Sequence, residues 1–276
     1  MTARASNSGE FLGRLWWRLL VARSRFANTL AILWRAPQVY RNWPHFFFSR
    51  FRDGTGLLHT RDGLQIKFRT RSTDRSTASE VFLLGAYLRP TAFTLAPGDT
   101  VLDIGANIGC FTLQAARLCP QGTVFAVEPL RSNCALLEEN IALNRFANVR
   151  ARCLALSDTD GAQTLHHGGQ CPSLHWSGAG STATEVPTRT LRSFLAAEGI
   201  ERVDFLKMDC EGAEFDILLA AGPEELSRIR RIVMEYHNLS PEKNHRVLAA
   251  HLERHGFTVT VDEGGWNGEL RALRRD

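Results

Sequence analysis

From residue 56 onward the apolar positions follow two periods in turn. Leu64-Gln-Ile-Lys-Phe68 alternates strictly, as a half-buried strand does. With Leu57-Leu-His59 and the Arg61-Asp-Gly63 turn it predicts a hairpin. Ser79 to Leu88 has helical spacing, and Pro97-Gly98 marks a turn. Short apolar runs then predict strands at 101–104, 123–127, 148–156, 203–209, 231–236 and 257–262, with a last short strand at 269–273. Between them, three- and four-residue spacing predicts helices at 110–118, 131–143, 190–198, 213–221 and 241–255. Residues 161–185 are rich in Gly, Ser, Thr and His and read as a loop or irregular hairpin. Strands alternating with helices predict an α/β fold, a mostly parallel sheet with helices on both faces.

The first fifty residues read differently. Phe11 to about Arg35 predicts a helix with Leu12, Trp16, Leu19, Phe26, Leu30 and Leu33 on one side and Arg14, Arg18 and Arg25 on another. Trp16, Trp17, Trp34, Trp43 and Phe46-Phe-Phe48 crowd the same region. Residues 1–53 carry nine arginines against Glu10 and Asp53, a net +7, while the remainder of the chain is at −3. Two readings are open: a basic amphipathic segment lying on an anionic membrane surface, or helices packed over the following domain with solvated arginines. The chain therefore divides into a basic, aromatic-rich helical extension (1–56) and one domain (57–276), as its 276 residues allow at roughly 150 per domain. No run of 18 apolar residues exists, so neither a transmembrane span nor a usual secretory signal is supported. Cys110, Cys119, Cys134, Cys153, Cys171 and Cys210 form no C-x-x-C pair, which argues against a zinc site and suits a reducing, cytoplasmic compartment.

The most informative stretch is Val101-Leu-Asp-Ile-Gly-Ala-Asn-Ile-Gly-Cys-Phe111, a strand running into a glycine turn and a helix. Gly105 and Gly109 let the backbone turn sharply and approach a ligand. The next strand ends in Glu128, where nucleotide-binding α/β units place the acid that accepts from ribose hydroxyls. A dinucleotide fingerprint has a glycine where Asn107 stands, and Asp103 would repel a pyrophosphate but attract an ammonium group. The turn suits a nucleoside carrying an amino-acid tail, and a nicotinamide oxidoreductase is the weakest reading.

These residues resemble motif I of class I S-adenosyl-L-methionine (SAM)-dependent methyltransferases, with Glu128 in the place of their ribose-binding acid. Val203-Asp-Phe-Leu-Lys-Met-Asp-Cys-Glu-Gly-Ala-Glu-Phe-Asp-Ile-Leu218 resembles the signature of the FkbM-type branch, whose known members mostly methylate hydroxyl groups. Arg61-Asp-Gly, Ser72-Thr-Asp74, Glu80-Val-Phe, Ala155-Leu-Ser-Asp158, Val186-Pro-Thr-Arg-Thr-Leu191 and Ile232-Val-Met-Glu-Tyr-His237 lie in the family's order. The resemblance covers about 57–263 and implies a Rossmann-like sheet with one antiparallel strand near the end, at 269–273. It implies SAM as cofactor, with Asp103, Gly105, Asn107 and Gly109 around the methionine moiety and Ser157 and Asp158 near the adenine. Glu80 and Asp74 would cover the cofactor from the N-terminal side.

Groups that act on an acceptor must project from the C-terminal ends of the parallel strands. One such end carries Asp209, Glu211 and Glu214; another carries Glu235 and His237. A hydroxyl acceptor benefits from a base, and His237 is the expected one, with Asp209 orienting the acceptor or acting as base itself and Glu235 beside them. A structural histidine is the bland alternative, and Glu211 and Glu214 suit the first turn of a helix. Asp209, Glu211 and Glu235 could also hold a divalent cation. The leading expectation is O-methylation of a sugar, glycan or secondary metabolite. A nucleic-acid methyltransferase is the second reading, although strand four ends Met208-Asp-Cys-Glu rather than in Asn/Asp-Pro-Pro-aromatic. A non-catalytic SAM-binding scaffold is the third.

Overall fold

The computed structural model describes residues 28–89, 91–167, 182–262 and 265–275. Helix α1 (28–39) and α2 (Trp43–Phe48) precede the hairpin β1 (Thr55–His59) and β2 (Gln65–Arg69). Next comes α3 (Asp74–Ala78), which runs into a π turn at Ser79–Leu84. The alternating part follows as β3 (Thr100–Ile104), α4 (Cys110–Leu118), β4 (Thr123–Val127), α5 (Arg131–Asn144) and β5 (Val149–Arg152). A small second sheet holds β6 (Ala155–Leu156), β7 (Gly161–His167) and β8 (Thr182–Arg189). The chain closes with α6 (Leu191–Glu198), β9 (Phe205–Met208), α7 (Glu214–Ala220), α8 (Pro223–Ser227), β10 (Arg231–His237), α9 (His245–Arg254), β11 (Phe257–Asp262) and β12 (Asn267–Arg274).

The main sheet has the order β11-β12-β10-β9-β3-β4-β5. Its single antiparallel member is β12, inserted between β10 and β11, which is the strand expected at 269–273. Both faces are buried because neighbouring residues on each strand enter opposite cores. Leu102, Phe125, Leu206 and Ile232 join one, and Val101, Val124, Phe205 and Val233 join the other. The second core also takes in Ala36, Tyr40 and Phe46, together with Ile66 and Phe68 of the hairpin. One face of the N-terminal helices therefore packs on the sheet's own core.

Helix α5 seals the free edge of β2. Asn140 accepts from the Lys67 N–H at 2.7 Å and donates to the carbonyls of Lys67 (3.0 Å) and Ile108 (2.8 Å). Asn144, one turn on, does the same for Gln65, accepting at 2.8 Å and donating at 2.7 Å. Two amides four residues apart on one helix face thus stand in for a neighbouring strand.

Several boundaries differ from expectation. The helix expected at 79–88 starts at Asp74, and its π turn ends at Gly85 with φ +70°. The strand expected at 148–156 breaks after Arg152, and Ala155-Leu156 passes to the second sheet. Helix α9 starts at His245 because the Asn244 side chain caps it, accepting from the Arg246 N–H at 2.9 Å. Helix α8 was not expected; Glu225 folds back on the Gly222 N–H at 2.7 Å, but only five residues follow this start. The expected helix at 11–35 falls outside the described residues up to 27, and residues 168–181 between β7 and β8 do too.

The Asn140→Ala substitution should lower the unfolding free energy by about 2–3 kcal/mol, since three backbone groups lose their partner. Urea unfolding measures it, and a change below about 0.5 kcal/mol would show that β2 needs no such edge.

Candidate active site

The C-terminal ends of β3, β4, β9 and β10 open into one cavity of about 310 Å³. Its floor is the turn after β3. Gly105 has φ +75°, and a Cβ there would lie 1.9 Å from the Asp209 carbonyl oxygen, so only glycine lets this turn cross the end of β9. The N–H groups of Gly105 and Ala106 both donate to the Val127 carbonyl, at 2.9 and 3.0 Å. Asn107 follows with φ +52°, and its side-chain oxygen is buried without a hydrogen-bond donor.

Beneath the turn lies a buried ion pair. Asp103 and Lys207 are opposite each other on β3 and β9, with Nζ to Oδ1 at 3.0 Å and both side chains under 5% exposed. Lys207 Nζ also donates to the Gly105 carbonyl at 2.8 Å, and the Thr112 hydroxyl donates to Asp103 at 2.6 Å. Burial alone would push the ammonium down, but Asp103 and Asp209 outweigh it and hold it above the ordinary lysine value.

Glu128 closes one side. One oxygen accepts from the Asn107 N–H at 2.9 Å, and the other accepts from the Leu130 N–H at 2.9 Å and the Asn133 amide at 3.2 Å. Burial raises its pKa, and these donors oppose that rise. Asn133 is fixed in turn by Arg69 (2.7 Å), whose guanidinium grips Asp74 at 2.9 and 2.7 Å. Beyond Glu128, Pro129, Leu154, Leu156 and Leu165 form an apolar slot.

The opposite end is crowded with carboxylates. Asp209 accepts from the Tyr87 hydroxyl at 3.0 Å, and Tyr87 sits on a left-handed backbone (φ +73°) just beyond the π turn. Glu80, on that turn, is pushed up to about 7, by burial first and then by the charge of Asp209. Glu235 is also pushed up to about 7 by burial and Asp209, while His237 and a hydrogen bond from Asn267 pull it back. His237 lies among acids: Glu211 at 3.3 Å, Glu214 at 3.4 Å and Glu235 at 3.8 Å. Burial would lower its pKa, yet the Glu214 hydrogen bond and the three charges raise it to about 9. Trp266 stands at the mouth, edge-on to His237 with ring centroids 5.0 Å apart.

The cavity gathers Gly105, Asn107, Glu128, Asp209, Glu211, Glu235 and His237, together with Glu80 from the N-terminal side. Five expected cofactor contacts lie outside the cavity lining. Asp103 is wholly buried and faces Lys207 and Thr112, so its carboxylate supports the turn from below. Gly109 starts α4, where a Cβ would meet Leu137 at 2.5 Å; its role is packing. Ser157 is buried and bonded to Gln163 (2.9 Å), and Asp158 is exposed beside it, so the pair forms a turn outside the cavity lining. Asp74 is likewise buried against Arg69. Glu214 is buried below the cavity, accepting from the Cys210 N–H at 3.1 Å. The acids around His237 favour its charged form, which weighs against the part of base expected of it. Among the described residues no three His, Cys, Asp or Glu side chains converge in a metal-holding arrangement, so the geometry gives no support to a cation at Asp209, Glu211 and Glu235. Tyr87, Asn133, Trp266 and Asn267 also belong to the site but stand in no motif of the sequence, and Lys207 lies in the Val203–Leu218 signature without a task that spacing assigns. Only the burial of a lysine inside an apolar strand hinted at Lys207.

The profile of the methyltransferase FkbM domain matches residues 103–259. The 31-O-demethyl-FK506 methyltransferase FkbM of Streptomyces tacrolimicus is 29% identical over 247 residues, covering 78% of this chain and 90% of the relative. The AMB antimetabolite synthetase AmbE of Pseudomonas aeruginosa is 29% identical over 225 residues, and there the chain, 66% covered, spans only 10% of its relative. The crystal structure of methyltransferase FkbM from Methylobacillus flagellatus KT aligns with 84% of this chain and 59% of its own at 15% identity and a TM-score of 0.46.

Two outcomes follow from the buried charges. Lys207→Met should cost about 3–5 kcal/mol in urea unfolding by leaving Asp103 unpaired, and adding Asp103→Asn should restore part of it. Because folding raises the pKa of His237, its contribution is complete below about pH 6.5 and disappears as pH rises through about 9. A series of thermal melts should show that loss between pH 6.5 and 9, and His237→Gln should flatten it; an unchanged slope would contradict the acid cage.

Proposed function

The chain belongs to the FkbM methyltransferase family, and from that premise we propose that it methylates a hydroxyl oxygen of a sugar, glycan or other secondary metabolite, using SAM. One observation carries this reading. The glycine turn with its ribose-type acid, and the carboxylates at the ends of β9 and β10, face the same cavity. The relative whose name specifies an O-methylation supports oxygen as the acceptor atom.

The residues present suit the cofactor. Glu128 presents a fixed carboxylate for ribose hydroxyls, and the apolar slot at Leu154 and Leu156 suits a flat purine. The orphaned oxygen of Asn107 is an acceptor for an ammonium group, the task first assigned to Asp103. When bound, SAM supplies a methyl group on a sulfonium, which passes to the acceptor oxygen as the C–S bond breaks and the hydroxyl proton leaves. The chain's own work is alignment and proton removal. Asp209, held by the Tyr87 hydroxyl, orients the acceptor hydroxyl. Glu235 takes the proton, since a base works best with a pKa near the operating pH, and burial and Asp209 put it at about 7. His237, in its charged form, keeps Glu235 from rising further and fixes Glu211 and Glu214 around it.

Incubation with methyl-labelled SAM and a panel of hydroxyl-bearing sugars and glycans should give a methyl ether, identified by mass spectrometry and NMR. With that acceptor, Glu235→Gln should lower kcat about 10²–10⁴-fold. The wild-type rate should climb as pH rises through about 7, where Glu235 loses its proton, and the variant should lack that step. Methylation at nitrogen or carbon, or a variant of full activity, would refute the assignment.

A further inference from the structure

Helix α1 has two apolar faces, and only one is used for packing. Ile32, Ala36 and Val39 turn toward the core behind the sheet. Leu30, Leu33 and Trp34, spaced as neighbours on a helix surface, are 51%, 51% and 75% exposed. The pattern repeats in the next turns: Phe46 is buried while Phe48 and Phe51 are 65% and 69% exposed. These five side chains are half of the large apolar groups exposed among the described residues, within a span of 22 positions. Scattered exposed apolar residues are ordinary, but this many in two neighbouring helices call for a covering partner.

Its charge identifies the partner. Residues 28–52 hold Arg35, Arg41, Arg50 and Arg52 and no acidic residue. Arg41, Arg50 and Arg52 are exposed, and the Arg50 guanidinium lies 4.5 Å over the Phe51 ring. The sequence leading into the patch, residues 11–27, continues the same mixture with Trp16, Trp17, Arg14, Arg18, Arg23 and Arg25. No described helix is long and apolar enough to cross a membrane. We propose that this N-terminal face docks the protein on the surface of an anionic lipid bilayer, with the aromatic and leucine side chains entering the headgroup boundary and the arginines pairing with lipid phosphates. A second copy of the chain would bring arginines against arginines across a two-fold axis. A nucleic acid would match the arginines and offer Leu30 and Leu33 nothing apolar to enter.

The test is co-sedimentation of the full chain with vesicles of phosphatidylcholine alone or mixed with phosphatidylglycerol. At least about tenfold tighter binding to the anionic vesicles is expected, weakening with salt. The triple variant Trp34→Ser, Phe48→Ser, Phe51→Ser should lose binding about tenfold or more, and Arg50→Gln should lose about fivefold. Near-ultraviolet circular dichroism verifies that the variants are folded; Trp34→Ser alone serves if the triple variant is not, and its own loss is then expected to be measurable. Equal binding to both vesicle types would overturn the proposal. So would retained binding in the folded variants, a dimer in light scattering that the variants abolish, or tighter binding to an oligonucleotide than to anionic vesicles.

Discussion

Asp103 and Lys207 face each other across neighbouring parallel strands, and the cavity rests on that contact. A charge pair under 5% exposed is costly to desolvate, so its geometry has to be good. Here the carboxylate also takes the Thr112 hydroxyl and the ammonium also takes the Gly105 carbonyl. The pair thereby joins β3, β9, the start of α4 and the glycine turn in one polar cluster inside an otherwise apolar sheet. The turn can then lie against the Asp209 carbonyl at a distance no side chain would permit. Displacing the lysine would disturb both ends of the cavity, because Lys207 bonds the glycine turn and is two residues before Asp209.

The two ends differ in electrostatic character. Around Glu128 the polar groups are neatly paired, with both carboxylate oxygens occupied by fixed donors. Around Asp209 acids outnumber cations, and burial together with the neighbouring carboxylates raises Glu80 and Glu235, while the acids around His237 raise it as well. For the proposed transfer from a cationic methyl donor to a hydroxyl, carboxylates whose pKa burial raises toward neutrality would be useful. Glu80, which feels the charge of Asp209, and Tyr87, which bonds it, lie on a π turn and on a left-handed backbone, irregularities that collect at functional sites.

Much of this was legible from residue patterns. Alternating periods gave the order of strands and helices, and the motif resemblance placed the antiparallel strand where β12 lies. Gly105, Asn107 and Glu128 were found because a sharp turn and a strand-end acid leave local marks. What stayed hidden depends on which way a side chain faces in three dimensions. Asp103 sits within the same motif but points below the turn, and Ser157 turns into its own hairpin. The ionisation of His237 comes from Glu211, Glu214 and Glu235 on two different strand ends, which spacing along the chain does not reveal. Tyr87 is 122 positions from its partner Asp209 and follows no periodic signal.

The most direct test of the cavity as a SAM site is a calorimetric titration with S-adenosylhomocysteine, run beside NADH and on a Glu128→Ala variant. Saturable, micromolar binding of S-adenosylhomocysteine, none of NADH, and loss in the variant are expected. Binding of NADH, or no binding of S-adenosylhomocysteine by well-folded protein, would contradict it.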